Sequence, residues 1–432
     1  MANPRRPILA ILAIPILALS VAACSGGGAA SAPAAAPSKA AAPAATSAPS
    51  AAAPTKAAAA PASAPTTGAA ASTSGGVIKI GGIFNITGQN ASQADLWMKA
   101  ADLAVKQIND AGGVNGKKIV LVKEDAQSTN PGALAAYQKM IEVDKPVAIL
   151  MTNLSTQIQA VSDVAKSAGL PEATGGTAVK NTHMGNHWIL RLRPDDSIAA
   201  AAMMQYISSE WKPTKLGIIN DSDAFGHGGG DLVAQYAKQA GIQVVKREEY
   251  TAGTKDYTAQ LLSIKAAGAQ VMVSYPTRPD DAAVIEEQYH QLGTPFKFMG
   301  DPASAEADTL ALSKNAATGI AAVIDYMPGV SDVQKKYLAD YAAAYNGAVA
   351  DTQAAYNYDA IYLFANAIKK VGTDPKKIQD AILGIHGDWQ GVCGTFDFTP
   401  NGDGLHSNAV ITVGDGGKYN YVKTVTVPKA AQ

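Results

Sequence analysis

The sequence has little of several features that would assign a protein to a class at once. Among 432 residues there are only two cysteines, Cys24 and Cys393, and 6% aromatic residues. The 35 basic and 36 acidic residues give a net charge of −1, so neither sign is in excess. After residue 24 no apolar run reaches the roughly 18 to 20 residues that a membrane-spanning helix needs. These shortages argue against a disulfide-stabilised fold, a nucleic-acid-binding surface and a membrane-embedded domain.

The N-terminal segment has the order of an export signal. Two arginines precede a short apolar stretch over residues 8–19, and small residues then lead to Cys24. The stretch VAAC that ends at Cys24 resembles a bacterial lipobox, in which the cysteine is acylated and becomes the new N-terminus. We therefore expect an exported protein, held by a lipid anchor at the outer face of the cytoplasmic membrane or in the periplasm. The alternative is an ordinary signal peptide, with Cys24 incidental.

A low-complexity stretch follows Cys24. Residues 25–76 are almost wholly Ala, Pro, Ser, Thr and Gly, with two lysines as the only charges. Such a composition cannot bury a core, so the stretch is predicted to be a tether. A flexible chain of this length spans about 40 Å on average.

From Val77 onward, short β-rich runs alternate with helical patterns. This alternation predicts βαβ units around mainly parallel sheets, and the number of strands predicts two sheets rather than one. The fold class is therefore α/β, with two doubly wound parallel-sheet lobes. The helices are predicted over residues 94–110, 131–143, 155–168, 196–210, 230–240, 256–267, 280–292, 331–346, 352–371 and 375–385.

The usual arrangements of catalytic residues are missing. The chain has no Gly-x-Ser-x-Gly nucleophile elbow, and the glycine-rich residues 226–230 are interpreted as a flexible loop that enters a helix. His183 and His187 are four residues apart but lie in a segment that resembles a loop, and two calcium-like stretches lack the final glutamate. We expect no enzyme activity, no cofactor and no metal ion.

Loops at the ends of predicted strands offer a ligand site instead. The segment TNLSTQ follows the strand VAILM and leads into a helix near Ser155, where helix N–H groups favour a carboxylate or another anion. The alternative is that Ser155 only caps its own helix. The next strand leads to a glycine-rich bend with Gly176 and Thr177. Loops of the second lobe add the aromatic Phe225 and the charged Arg278 and Asp301; an acid opposite an anion site would suit an amino acid.

Three stretches, IKIGGIFNITG, AVKQINDAGGVNGKKIVLVKEDAQSTNP and YDAIYLFANAIKKVG, together resemble the type I periplasmic binding proteins of the branched-chain amino acid branch. The resemblance runs from about residue 78 to residue 421. It implies two lobes that are joined by three crossings and close around a ligand like a hinge. The crossings are expected near residues 194–197, 324–328 and 396–399.

The resemblance also implies the positions of ligand-binding residues. The ligand carboxylate is expected at Ser155 and Thr177, or at Asn153 if the first loop is aligned differently. Gln93 stands where the family has an aromatic residue, and with Arg278 it suggests a more polar or acidic solute. The complete set of expected ligand-binding residues is Gln93, Asn153, Ser155, Thr156, Gly176, Thr177, Phe225, Thr277, Arg278 and Asp301, with Cys24 for lipidation.

The resemblance implies a substrate-binding receptor that captures an amino acid or a related small carboxylate and delivers it to an ABC permease. We expect a monomer that reaches the membrane only through its lipid anchor. A sensor that feeds a signalling protein is the alternative, followed by an exported hydrolase. The expected domains are a signal peptide (1–23), a lipidated tether (24–76), an N-terminal lobe (77–196 and 327–397), a C-terminal lobe (197–326 and 398–426) and a tail (427–432).

Overall fold

The structure, a computed structural model, describes residues 76–405 and 408–427. The predicted signal peptide, Cys24, the tether up to residue 75 and the tail beyond residue 427 lie outside the described residues. Within the described part of the chain, no helix is both long and apolar enough to cross a membrane.

Strands and helices alternate through the described residues. The strands are β1 Val77–Phe84, β2 Lys118–Asp125, β3 Ile149–Leu150, β4 Glu172–Thr174, β5 Ile189–Arg191, β6 Lys215–Asp221, β7 Gln243–Tyr250, β8 Val271–Tyr275, β9 Lys297–Gly300, β10 Ala321–Ile324, β11 His386–Gln390, β12 Thr395–Asp397, β13 Asn408–Asp415 and β14 Lys418–Thr426. The α-helices are α1 Ala91–Asp110, α2 Asn130–Lys139, α3 Ser155–Ala168, α4 Lys180–His183, α5 Asp196–Tyr206, α6 Ala224–Gln239, α7 Thr258–Ala266, α8 Pro279–Gln291, α9 Ala307–Ser313, α10 Asp332–Ala344, α11 Thr352–Val371 and α12 Pro375–Leu383.

The strands form two large sheets, which confirms the predicted fold class. The first has the order β2-β1-β3-β4-β5 and is parallel throughout. The second has the order β14-β13-β10-β9-β8-β6-β7, with an antiparallel edge formed by β13 and β14. A small antiparallel pair, β11 and β12, stands apart from both. Parallel strands need crossover connections, and the helices between them provide these connections.

Each large sheet has hydrophobic cores on both faces. In the first sheet, Ile80 packs with α1 and α11 on one face, whereas Ile83, three residues further along β1, packs with α2 and α3 on the other. In the second sheet, Ile218 packs with α5 and α6, and the next residue, Ile219, packs with α7 and α8. Successive side chains of a strand point to opposite faces, so this division follows from the pleat. Both lobes are therefore doubly wound.

The prediction that residues 226–230 form a loop is wrong. These glycines lie inside α6, which begins at Ala224 after Asp223, whose carboxylate accepts a hydrogen bond from the Gly226 N–H at 2.8 Å. Glycine is needed in this helix for close packing rather than for flexibility, because a Cβ on Gly229 would lie 2.1 Å from the ring of Tyr275. The histidine segment was also predicted to be a loop, but its first part, Lys180–His183, is the short helix α4.

The segment after β12 lies against the first sheet. Asp403 bridges to Arg191 of β5, and the Arg191 N–H donates to the carbonyl of Gly402 at 2.8 Å. Phe398 belongs to the core that includes α1 and α11. We therefore propose that residues 398–405 belong to the first lobe and that the third crossing does not lie at residues 396–399. The other lobe boundaries remain as predicted from the sequence.

Candidate ligand-binding cleft

A small cavity of about 30 Å³ lies where loops of the two large sheets meet. The loops that follow β3, β4, β6, β8 and β9 all contribute to its wall, as does the first turn of α1. Loops at the carboxyl ends of parallel strands are where open α/β sheets bind ligands. The lining residues are Gln93, Trp97, Asn153, Leu154, Ser155, Thr177, Arg193, Phe225, Thr277, Pro302, Ala303, Glu306 and Gln353.

Ser155 joins two loops of the first lobe. It is the first residue of α3, whose N-cap is Leu154, and its hydroxyl makes no capping bond to its own helix. The Ser155 Oγ instead accepts hydrogen bonds from the Ala178 N–H at 3.2 Å and from the Asn181 amide at 3.1 Å. The capping alternative is therefore wrong, and the hydroxyl proton of Ser155 is left to serve another acceptor.

Asn153 and Thr177 also line the cavity. The Asn153 Oδ1 accepts a hydrogen bond from the Gly175 N–H at 3.0 Å, which ties the loop after β3 to the loop after β4. The Thr177 carbonyl accepts a hydrogen bond from the Asp196 N–H at 2.9 Å, at the start of α5. Gly176 lies behind this wall, where a Cβ would be 2.3 Å from Ile158, so its part is to allow close packing. Asn153 and Ser155, which the two alternative alignments of the first loop proposed for the ligand carboxylate, therefore both lie at the cavity.

The second lobe contributes Phe225 and Thr277 to the opposite wall. The Phe225 ring packs on Tyr275 with centroids 5.2 Å apart. The Thr277 hydroxyl donates to Asp223 at 2.8 Å. Thr156 does not line the cavity; its hydroxyl donates to the other oxygen of Asp223 at 3.4 Å, so it forms a contact between the lobes.

Two predicted residues lie outside the cavity. Arg278 bonds Gln89 of the first lobe and Asp280, and these three residues line a separate cavity of about 390 Å³. Asp301 is fully buried and accepts a hydrogen bond from the Ser304 N–H at 3.2 Å, so it caps a short 3₁₀ turn. Burial raises the pKa of Asp301 well above its usual range. Neither residue joins the others at the cavity wall.

The acid at the cavity is Glu306, which the sequence did not indicate. Its Oε2 accepts a hydrogen bond from the Gln93 amide at 2.8 Å, and its Oε1 accepts one from Gln353. Burial, with a smaller contribution from Asp351, raises the pKa of Glu306 to about 8, and Arg193 opposes this shift. Glu306 lies five residues beyond Asp301, in no motif, so no local signal marked it.

Arg193 is the second residue that sequence reasoning missed. Its Nε donates to Asp325 at 2.7 Å, and the side chains of both residues are only 6% exposed. The guanidinium also lies over the Tyr356 ring, 5.5 Å from the centroid. Burial by itself would lower the pKa of Arg193, but the Asp325 carboxylate more than offsets this effect and raises it. Arg193 therefore stays charged at the cavity wall.

The cavity has binding groups of both signs. Hydroxyl and amide groups of the first lobe can donate to an anion, Arg193 adds a positive charge, and Glu306 faces them with an acceptor. Among the described residues, no cluster of three or more His, Cys, Asp or Glu could hold a metal ion. The arrangement is suited to hold a small molecule that carries charges of both signs.

The periplasmic binding protein family model matches residues 77–418 of the chain. The chain belongs to this family. The match covers every strand of both large sheets except the edge strand β14, and it confirms the resemblance to type I periplasmic binding proteins that was found in the sequence. Membership also places the protein outside the cytoplasm and among proteins that bind solutes rather than catalyse, as predicted.

Curated relatives include two proteins of Pseudomonas aeruginosa. An amino acid binding protein is 31% identical over 216 residues, which are 50% of this chain and 58% of that protein. A leucine-, isoleucine-, valine-, threonine- and alanine-binding protein is 27% identical over 73% of this chain and 86% of its own length.

Solved structures share the fold over nearly their whole length. A leucine-binding protein from Thermotoga maritima superposes with a TM-score of 0.75 at 22% identity, and the match covers 81% of this chain and 99% of that one. A branched-chain amino acid transporter substrate-binding protein from Streptococcus pneumoniae, in complex with isoleucine, gives a TM-score of 0.73 at 25% identity with the same coverage. A solute-binding protein from R. palustris, in complex with benzoate, gives 0.74 at 19% identity over 82% and 98% of the two chains.

Proposed function

We propose that this protein is the extracytoplasmic substrate-binding receptor of an ABC importer, and that it captures an amino acid or a related small carboxylate between its two lobes. The observation that carries the proposal is the pairing, across one cavity, of carboxylate-binding groups from the first lobe with the buried acid Glu306 from the second. The names of the relatives from Pseudomonas aeruginosa support the same ligand class.

The first lobe is suited to the ligand carboxylate. Ser155 and Thr177 bring hydroxyl groups to the wall, and Ser155 lies at the N-terminus of α3, where the helix dipole favours negative charge. Arg193 adds guanidinium N–H groups at the same cavity, and its charge is balanced by the Asp325 carboxylate. In a buried site these interactions gain strength because water does not screen them.

The second lobe is suited to the ligand ammonium group. Glu306 accepts hydrogen bonds from two amides of the first lobe, so an ammonium group that displaced Gln93 or Gln353 would find a carboxylate already oriented. A bound cation favours the ionised carboxylate, so ligand binding should release a proton where Glu306 is protonated in the free protein. We therefore assign the ammonium-binding role to Glu306 in place of Asp301.

Entry of the ligand requires the lobes to move apart. The cavity has room for only a few water molecules, which is too small for an amino acid. Contacts between Thr156 and Asp223 and between Gln93 and Glu306 join the two lobes around it. A ligand that replaces such contacts with its own would bind the closed arrangement better and so draw the lobes together. The permease would then recognise the closed form, and the lipid anchor at Cys24 would keep the receptor, as a monomer, at the membrane.

Calorimetric titration tests the proposal. The purified protein is unfolded and refolded to remove bound solutes, and it is then titrated with amino acids, dicarboxylates, amides and benzoate. We expect one-to-one binding to one class of small carboxylate, and heat that depends on the buffer near pH 7 because a proton is released. The absence of binding across the panel would contradict the proposal.

A matched pair of variants tests the role of Glu306. Glu306→Gln should reduce the affinity for an amino acid at least tenfold, because it removes the charge that faces the ammonium group. Glu286→Gln is the control, since Glu286, like Glu306, is a buried acid of the second lobe but does not line the cavity. Equal affinity in both variants would mean that the ammonium group binds elsewhere.

A further inference from the structure

A second and much larger cavity, of about 810 Å³, lies at the crossings between the lobes. The first crossing contributes Pro194 to its wall, the second contributes residues 325–327, and the segment after β11 contributes residues 393–395, 397, 404 and 405. No described residue lines both this hinge cavity and the cleft cavity. Pockets of 300 to 1,000 Å³ are of the size that binds small organic molecules.

The hinge cavity has a buried floor and an exposed rim. Tyr356, Cys393 and Val410 are at most 6% exposed and form the floor, whereas Val330 and Tyr421 are 67% and 56% exposed. A molecule in the cavity would thus cover apolar side chains that otherwise face water, which favours binding of an apolar body.

The polar groups of the cavity select the charge of a ligand. Among the described residues, the lining includes Asp325 and Asp397 and no lysine, arginine or histidine. Asp325 is already paired with Arg193, which lies outside the cavity, and Asp397 lies 3.3 Å from the His386 Nδ1. Three tyrosines, Tyr326, Tyr356 and Tyr421, present aromatic rings to the same space. The face of an aromatic ring attracts a cation, and a carboxylate attracts it more strongly.

We propose that the hinge cavity is a second ligand site, which takes a small organic cation with an apolar body, such as an aromatic amine. The cationic group lies beside Asp397, and the apolar body lies on Met327, Val330 and the tyrosine rings. This site is distinct from the cleft and does not depend on the nature of the cleft ligand.

Asp325 connects the hinge cavity to the cleft. Its Oδ2 accepts hydrogen bonds from the Arg193 Nε at 2.7 Å and from the Tyr356 hydroxyl at 3.0 Å. Asp325 and Tyr356 line the hinge cavity, while Arg193 lines the cleft. A ligand that lies among the crossings and touches this pair also favours one hinge angle over another. It therefore changes the affinity of the cleft for its ligand, and the cleft ligand changes the affinity of the hinge cavity by the same factor. This coupling, unlike the site itself, rests on the proposed function.

Methyl NMR of the full-length protein tests the site with three probes. Benzylamine is protonated at pH 7, benzyl alcohol is its neutral counterpart, and benzoate is the anion. We expect benzylamine to shift the methyl signals of Met327, Val330 and Val410 to saturation, with an affinity at least tenfold higher than that of benzyl alcohol and no such shifts from benzoate. Unshifted signals, or equal affinities for the amine and the alcohol, would overturn the proposal.

Variants separate this site from the cleft. Asp397→Asn should weaken benzylamine binding at least fivefold, whereas Asp388→Asn, on the neighbouring strand β11 and outside the cavity, should leave it unchanged. Thr424→Trp places a bulky ring at the exposed rim and should also prevent binding. Full benzylamine affinity in both the Asp397 and Thr424 variants would overturn the assignment.

The Glu306→Gln variant distinguishes failure of this site from failure of the proposed function. Benzylamine should still shift the hinge signals in that variant, because the cleft acid plays no part in the site. Loss of those shifts would show that the amine had bound in the cleft, which contradicts a hinge site. If a cleft ligand is found, saturating benzylamine should change its Kd at least threefold, and an unchanged Kd would overturn the coupling through Arg193.

Discussion

The Arg193 guanidinium and the Asp325 carboxylate form a buried ion pair, with Nε and Oδ2 2.7 Å apart, that separates the cleft from the hinge cavity. The pair joins the chain just after β5 of the first sheet to the chain just after β10 of the second. It therefore spans two of the expected crossings, and the Tyr356 hydroxyl and ring complete its surroundings.

Breaking this ion pair should lower the stability of the protein and the affinity of the cleft for its ligand. We expect Asp325→Asn to lower the free energy of unfolding by about 3 to 5 kcal/mol, because it leaves a buried guanidinium without its partner charge. Urea denaturation measures this loss. A double-mutant cycle with Arg193→Gln should give a coupling of more than about 1 kcal/mol, and additive losses would contradict a direct interaction.

Ser155→Ala and Thr177→Ala should each weaken binding of the cleft ligand about tenfold while the fold stays intact. Ser155→Ala also leaves the N–H of Ala178 and the amide of Asn181 without their acceptor, so a stability loss of about 1 to 3 kcal/mol is expected. Calorimetry and urea denaturation separate the two effects. Ser162→Ala, on the same helix and outside the cavity, is the control and should leave affinity unchanged. Unchanged affinity in both site variants would refute the strand-end assignment.

Stability should fall as the pH rises from 5 to 8. Burial raises the pKa of Glu172, Glu286 and Glu306 from 4.5 to about 8. The folded state thus holds protons that the unfolded state releases, so the stabilisation is fully present below about pH 4.5 and is lost as the pH rises through 8. Each group adds a slope of at most about 1.4 kcal/mol per pH unit.

Glu286→Gln isolates one of these carboxyl groups. Urea denaturation at pH 5, 6, 7 and 8 should give a shallower loss of stability for this variant than for the unmodified protein. Glu142→Gln is the control because Glu142 is exposed, and it should reproduce the original slope. If the Glu286 and Glu142 variants gave the same slope, the raised pKa of Glu286 would be refuted.

Two adjacent glycines of α6 should respond to alanine in opposite directions. A Cβ on Gly229 would lie 2.1 Å from the buried Tyr275 ring, so Gly229→Ala should cost about 1 to 3 kcal/mol. No atom lies within 4 Å of a Cβ on Gly228, so Gly228→Ala should stabilise the helix by about 0.5 to 1 kcal/mol. Thermal unfolding measures both changes, and a stabilised Gly229→Ala protein would show that the helix does not approach Tyr275 this closely.

The lipid anchor is tested on the whole chain. Cys24→Ser should release the protein from the membrane fraction, because the lipobox resemblance makes Cys24 the acylated residue. Cys393→Ser is the control, since Cys393 is buried in the first lobe and should have no part in membrane attachment. Fractionation followed by immunoblotting measures the distribution, and a Cys24→Ser protein that stays in the membranes would refute the anchor.

The sequence by itself determined most of the helices and strands and their order, although the short helices α4 and α9 were not predicted. Helices 155–168 and 352–371 were predicted with the bounds that α3 and α11 have, and the two-sheet division was also predicted. These features depend on local signals, since apolar periodicity and glycine punctuation act within one or two turns of chain. The misread glycines of α6 mark the limit of such signals, because a contact with Tyr275 in another element requires them.

Only some of the residues that line the cleft could be predicted from the sequence. Asn153, Ser155 and Thr177 could be placed because they follow strands, and carboxyl ends of parallel strands share one edge of a sheet. Glu306 and Arg193 could not be placed, since the contact between Gln93 and Glu306 joins residues that are 213 positions apart. Which acid contacts which amide depends on how the two lobes pack together. Tertiary structure alone decides this, because the pairing follows from the geometry of the crossings and not from any local pattern of residues.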